Sequence, residues 1–298
     1  MTVSNSPTSN TFSSADRRRG LLFLGATMAF VGLGMALQMG LNANFMAEDI
    51  GVSGFQLGLL EAVRETCGIT ALFLLGALAG LAEPIVASVM LALFAFGIGA
   101  YAFATSYGWI IVLSLIWSQG LHVWMPLPNA MALSLAEPGR EGHRLGQVRG
   151  ANAGGFALGL AIAYGLTRSG VQMRPLYLVA GGVGLVAAVL ILGVPRRMET
   201  SGPRLVFRRR YGLFYLLSFL EGWRKQIFVC FAGFLLVRVH DTPLETMLLL
   251  WIAVKVIGYF LSPLVGRVID RVGERYVMIF YYLCMTLFFI GYATVNSR

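Results

Sequence analysis

The sequence predicts an all-α polytopic membrane protein, and three observations carry that prediction. Only 12% of the 298 residues are charged while 57% are hydrophobic, and the mean hydropathy is +0.73. Soluble domains carry about 25% charged residues, so half that share excludes an ordinary soluble enzyme, and the apolar surplus excludes a disordered chain. The apolar residues also fall into runs of the ~20 residues that a helix needs to cross a ~30 Å hydrocarbon core. Within the runs Ala, Gly and Leu are spread without the polar–apolar alternation of barrel strands.

Nine segments qualify as spans: Leu21–Ala47, Gln56–Ala82, Pro84–Ser106, Tyr107–Leu135, Gly146–Thr167, Pro175–Val194, Tyr211–Val237, Leu244–Val265 and Tyr276–Val295. Short basic loops orient them. With the N-terminus in the cytoplasm, the inside holds Arg17–Arg19, Arg140, Arg144, Arg149, Arg196, Arg197, Arg204, Arg208–Arg210, Arg267, Arg271 and Arg275. The outside then holds Arg168, Arg174, Arg238 and Arg298, a ratio of fifteen to four. This predicts a multi-pass protein of the cell inner (plasma) membrane with a cytoplasmic N-terminus. The first apolar run, about 27 residues, is too long for the core of a secretory signal. Residues 1–19 read as a disordered tail.

The net charge of +9 invites a nucleic-acid reading, but the arginines sit between apolar runs and not on one basic face. No nucleic-acid partner is expected. Cys67, Cys230 and Cys284 lie far apart within apolar runs and form neither a metal spacing nor a disulfide framework. No cofactor and no metal are expected.

The longest loop, Pro195–Arg210, carries six arginines and divides six spans from three. A shift of 190 residues superposes the first span on the seventh and matches Leu59 with Leu249, Leu60 with Leu250, Gly68 with Gly258, Leu74 with Leu264 and Gly76 with Gly266. Parallel six-span repeats are a known transporter plan. The chain is thus parsed as a tail (1–19), a six-helix bundle (20–194), a linker (195–210) and a partial second bundle (211–298).

After the eighth span, Gly266-Arg267-Val268-Ile269-Asp270-Arg271-Val272-Gly273-Glu274-Arg275 resembles the G-x-x-x-D-R-x-G-x-R loop of major facilitator superfamily transporters. Gly266, Asp270, Arg271, Gly273 and Arg275 stand at its motif positions. Glycines permit a tight turn, an aspartate can cap a helix, and arginines hold a loop at the cytoplasmic face. The first-half copy departs from the pattern, with Gly80 and Leu81 in place of Asp and Arg. Span four keeps Gln119-Gly120 of the family's R-x-x-Q-G, but Ile116 stands at the arginine position. Leu160 follows Gly159 where an antiporter would have proline, which counts against drug/proton antiport. The resemblance implies a monomer of twelve spans moving a small molecule across the lipid bilayer. The sequence is therefore expected to be truncated three spans short.

Charges inside a membrane are costly and call for a reason. Glu61, Arg64 and Glu65 lie in the second span, Glu221, Arg224 and Lys225 in the seventh and Lys255 in the eighth; the third, sixth and ninth carry none. In the family those three are scaffold positions, so all seven charges fall on helices that line the cavity or its gates. At 1.5 Å per residue, Glu65, Arg224, Lys225 and Lys255 share roughly the midplane, with Glu61 nearer the outside. The alternatives are a latch of the outer gate, which the resemblance implies for spans one, two, seven and eight, and local pairing, since Glu61–Arg64 and Glu221–Arg224 are spaced i,i+3 and Glu221–Lys225 i,i+4. Asn42 in span one, near Gln38 and Asn44, and His122 in span four complete the candidate substrate and ion site. Pro126 and Pro128 break span four, and the glycines of spans five and six read as close helix packing.

Several function classes compete on these residues. A secondary transporter of a small organic solute fits best, with the charge balance favouring an organic anion and the buried carboxylates favouring proton coupling. An enzyme lacks any nucleophile with a nearby base, and an ATP-driven pump lacks its phosphate loop. A drug/proton antiporter and a transporter-shaped sensor or assembly protein are the alternatives.

Overall fold

The computed structural model describes residues 12–196 and 208–294, apart from some side chains in the last three helices. Much of the linker Pro195–Arg210 and most of the N-terminal tail thus lie outside the described residues. The described residues are helical where the apolar runs stand: α1 Ser14–Asn44, α2 Gly54–Ala77, α3 Glu83–Gly99, α4 Tyr107–Trp124, α5 Leu127–Leu135, α6 Glu141–Arg168, α7 Met173–Leu190, α8 Gly212–His240, α9 Leu244–Val272 and α10 Glu274–Thr294. A π-helical turn, Phe45–Asp49, extends α1.

Among the described residues, four segments are long and apolar enough to cross a membrane on composition alone: Ser14–Asp49, Glu83–Phe103, Tyr107–Leu135 and Met173–Gly193. The second helix has the length but carries Glu61, Arg64 and Glu65. The fourth predicted span is two helices, because α4 stops at Trp124 and α5 starts at Leu127, across Pro126.

The first helix begins earlier than its apolar run. Ser13 caps it, accepting a hydrogen bond from the Asp16 amide at 3.1 Å, so Arg17–Arg19 belong to the helix and not to the tail. Arg17 then donates to the carbonyls of Leu135 and Ala136 and binds the C-terminal end of α5. At the opposite end Arg174 donates to the Ala102 and Ala104 carbonyls at 3.0 and 2.8 Å and to Asp49 at 2.7 Å. Beneath Arg174, the buried rings of Phe45, Tyr101 and Tyr177 pack with centroids 4.7–6.0 Å apart. Two arginines that a count of loop charges treats as topology signals thus satisfy orphan carbonyls at helix ends.

The chain divides into two compact units, 1–249 and 250–298, with the boundary within α9. In the first unit α1 packs on α6 and α7, and α3 packs on α4 and α7. Small residues allow these approaches. A Cβ on Gly159 would lie 2.7 Å from the Leu33 carbonyl, and one on Gly97 would lie 2.6 Å from the Trp117 amide. The sequence reading assigns close packing to Gly154, Gly155, Gly159, Gly181, Gly182 and Gly184; Gly155, Gly159, Gly181 and Gly184 abut backbone of α1 or α3, and the other two do not. Gly154 and Gly182 face open space. In the second unit α9 and α10 are joined at Gly273, whose φ of +90° is the left-handed region that glycine enters freely.

Between α5 and α6, Arg144 grips Glu137 with two hydrogen bonds of 2.8 and 3.0 Å. That guanidinium pulls the Glu137 carboxyl from 4.5 down to about 2. A depressed carboxyl contributes its clasp above the unfolded value and loses it as pH falls through the folded one. The loop 136–141 is therefore expected to hold its amide-exchange protection from neutral pH to about 4.5 and lose it towards pH 2. Arg144→Gln should remove that protection at every pH. Unchanged loop exchange in that variant would contradict the clasp.

A charged network between the second, fourth and eighth helices

In α2 Glu61 stands three residues before Arg64 and Glu65 one after it, so one guanidinium reaches both carboxylates. Arg64 pairs with Glu61, with side-chain exposures of 15% and 8%, and lies 3.7 Å from Glu65. Its other face covers the Trp117 ring of α4, 5.2 Å from the centroid, a cation–π contact. Trp117 is itself positioned by donating its indole N–H to the Tyr101 hydroxyl at 3.1 Å, and Tyr101 bonds Ser114. Charge in this span is thus compensated on its own helix and held against an aromatic wall.

His122 of α4 faces the same cluster. Its Nδ1 lies 2.8 Å from the Ser118 carbonyl and 3.1 Å from the Ser118 hydroxyl; the carbonyl can only accept, so the tautomer that bonds it carries hydrogen on Nδ1. The free lone pair of the neutral ring is then on Nε2, 3.9 Å from the Glu65 Oε2. One added proton turns this pair into a salt bridge. Gly68 lies against the ring, where a Cβ would meet its Cδ2 at 3.4 Å, an ordinary contact. Two further bonds tie α2 to α4 on either side: Tyr107 donates to the Gln56 carbonyl at 2.6 Å, and Thr70 bonds Gln119.

The eighth helix joins through a residue that sequence spacing did not single out. The Cys230 thiol donates to Glu61 Oε2 at 3.0 Å. Near the same end of the unit, Asn44 donates to the Thr242 carbonyl at 3.1 Å and Arg168 to Glu245 at 3.3 Å. Contacts from α1, α2 and α6 thus reach the loop after α8, α8 itself and the first turn of α9.

Of the predicted site residues, Glu61, Arg64, Glu65 and His122 come together. Glu221 and Arg224 pair along α8 at 2.5 Å. Asn42 accepts from Gln38 at 3.3 Å on α1. Lys255 belongs to the second compact unit, and the Lys225 side chain lies outside the described residues. In the loop motif, Arg271 and Arg275 are exposed and Gly273 makes the turn, while Gly266 falls within α9 and the Asp270 side chain lies outside the described residues. The first-half copy turns at Gly80, φ +89°, which explains glycine where the motif has aspartate.

A sequence profile described as Major Facilitator Superfamily matches residues 22–298. The chain belongs to the major facilitator superfamily. Solved structures agree at the level of fold. A mutant of the nucleoside transporter NupG superposes with a TM-score of 0.71 at 14% identity, covering 85% of this chain and 69% of that one. A bacterial homologue of the human lysosomal transporter Spinster, inward-facing and unoccupied, gives 0.67 at 16% identity, covering 89% of this chain and 64% of that one. No curated protein sequence matches. Membership makes this a helical membrane protein with the permease fold, and the chain spans about two thirds of the length of these relatives.

Proposed function

We propose that the chain works as a proton-coupled secondary transporter of a small organic anion, by alternating access, with its N-terminus in the cytoplasm. The observation that carries the reading is the Glu65–His122 pair beside Arg64. Histidine is the side chain whose charge changes most readily near neutral pH, and a carboxylate facing its basic nitrogen gives one proton two acceptors. At 3.9 Å the pair is too long for a hydrogen bond, so a small shift of α2 against α4 decides whether the proton is shared. The Glu61–Cys230 bond links that shift to α8, the first helix after the linker. Movement of one bundle against the other is the way such folds alternate.

The sign of the cargo follows from the charges within the spans. Arg64, Arg224, Lys225 and Lys255 outnumber Glu61, Glu65 and Glu221 by one, and protonation of the pair adds another. Surplus charge away from water requires a counter-charge, which an organic anion brings with it. Arg224 offers a carboxylate two parallel hydrogen bonds in competition with Glu221. Transport should therefore be inhibited by mono- or dicarboxylates. Arg224→Gln should weaken that inhibition about 10–100-fold, the loss of one charge-assisted contact of about 1.5–3 kcal/mol. Neutral nucleosides and cationic drugs serve as the other arms, and inhibition by either with none by carboxylates would overturn the anion reading.

A further inference from the structure

A second site lies away from the network, in a cavity of about 610 Å³ at the end of the first unit that holds Arg17. One face of α1 forms its wall: Ser14, Arg17, Arg18, Leu21, Leu22 and Gly25. These residues recur at the three- and four-residue intervals of a helical stripe, so the wall is continuous along about 16 Å of helix. Arg144, Gln147 and Val148 of α6 face it.

The cavity changes character along its length. Its outer part is polar, with the Ser14 hydroxyl, Arg17, Arg18 and Arg144 beside the Glu137 carboxylate. Arg144 there is already engaged by Glu137 and donates to Gln147 at 2.9 Å. Arg17 uses Nε and Nη1 on backbone carbonyls, which fixes its guanidinium and leaves the Nη2 hydrogens outside those bonds. Among the described residues Arg18 is in no salt bridge, and its side chain is exposed. Deeper in, the wall is apolar: Leu22 is 64% exposed, and a Cβ on Gly25 would meet nothing within 4 Å. Two cationic groups above an open apolar slot are complementary to a phosphate that carries a hydrocarbon chain. A free anion would leave the slot unfilled, and a neutral lipid would leave the arginines without a counter-charge.

We propose that this groove binds one anionic phospholipid of the cytoplasmic leaflet. The phosphate sits between Arg17, Arg18 and the Ser14 hydroxyl, and an acyl chain lies along Leu21, Leu22 and Gly25. The leaflet rests on the topology proposed above; the binding itself does not. A lipid there bridges the start of α1 and the start of α6, the two helices whose glycine crossing anchors the first bundle.

The test is native mass spectrometry of the full chain in detergent, titrated with phosphatidylglycerol, phosphatidylcholine or inorganic phosphate. One phosphatidylglycerol should be retained in preference to phosphatidylcholine. Arg18→Glu, a substitution on an exposed side chain, should weaken it about 30-fold, at about fivefold per charge near a membrane surface. Gly25→Leu, which fills the slot and leaves the arginines, should weaken the phospholipid and leave inorganic phosphate unaffected. Equal retention of both phospholipids, or the same affinity in Arg18→Glu, would overturn the site. Displacement of the lipid by millimolar phosphate, with no effect of Gly25→Leu, would make it a free-anion site instead. Labelling of Arg18→Cys in oriented cells tests the leaflet separately. Reaction from outside only, with lipid binding intact in detergent, would overturn the topology and spare the groove.

Discussion

Arg64→Gln is expected to destabilise the folded chain by about 3–5 kcal/mol, the cost of removing one partner from a buried ion pair. Glu61, 8% exposed, would lose the guanidinium that pairs with its carboxylate, and Glu65 would lose a cation 3.7 Å away. The indole face of Trp117 would be left without its covering charge. Thermal unfolding in detergent reads the loss directly. The double variant Glu61→Gln, Arg64→Gln removes charge in pairs and should recover most of the stability, because two neutral amides can bond each other. Equal damage in the single and double variants would show that Arg64 acts through packing and not through charge.

Gly155→Leu is expected to cost at least as much, about 3 kcal/mol or more, by a different route. A Cβ at Gly155 would fall on the Ala29 carbonyl of α1, and neither group is a flexible side chain that can turn aside. Below it Gly159 meets Leu33 and Ala36, and above it the Asn152 amide donates to the Met28 carbonyl at 3.1 Å. The crossing must therefore widen along its whole length, stripping contact from the most extensive helix pair in the first unit. Gly154→Leu is the control, because that position opens to space and should change stability by no more than about 0.5 kcal/mol. Similar unfolding temperatures for the two variants would contradict the crossing as described.

These two sites also show where sequence was informative. Gly155 and Gly159 could be read as packing residues because glycine pairs inside an apolar run have few other uses. Glu61–Arg64 and Glu221–Arg224 could be read as pairs because helix geometry alone brings i and i+3 together, and both form. The break at Pro126 was equally local. Contacts that close over long separations were not legible. The Glu61–Cys230 bond spans 169 residues, and cysteine carries no spacing signal unless it has metal or disulfide partners. His122 was visible as a polar group in span four, but its partner Glu65 depends on the rotation of two helices, which hydropathy does not fix. Loop arginines hid a structural role for a related reason. Counting Arg17 and Arg174 by side of the membrane says nothing of the carbonyls that each one binds.

The partial weakness of the loop motif has a backbone cause. In the second unit a single residue, Gly273, makes the whole turn, so the flanking Asp270 and Arg271 fall in the last helical turn before it. In the first bundle the turn runs from Leu78 to Ala82 with Gly80 at its centre, and a side chain at that φ would be strained. The position equivalent to Asp270 is thus committed to bending the chain. The two loops differ in which residue makes the corner, Gly80 in one and Gly273 in the other.

The most direct measurement of the central claim is carboxylate accumulation in proteoliposomes under an imposed pH gradient, comparing the chain with Glu65→Gln and His122→Gln. The expected result is accumulation above equilibrium in the unaltered chain. In both variants gradient-driven accumulation should fall at least about tenfold, the low end of what one positioned proton-transfer group contributes, while counterflow of labelled for unlabelled carboxylate persists. Gradient-driven accumulation that survives unchanged in Glu65→Gln would contradict the account.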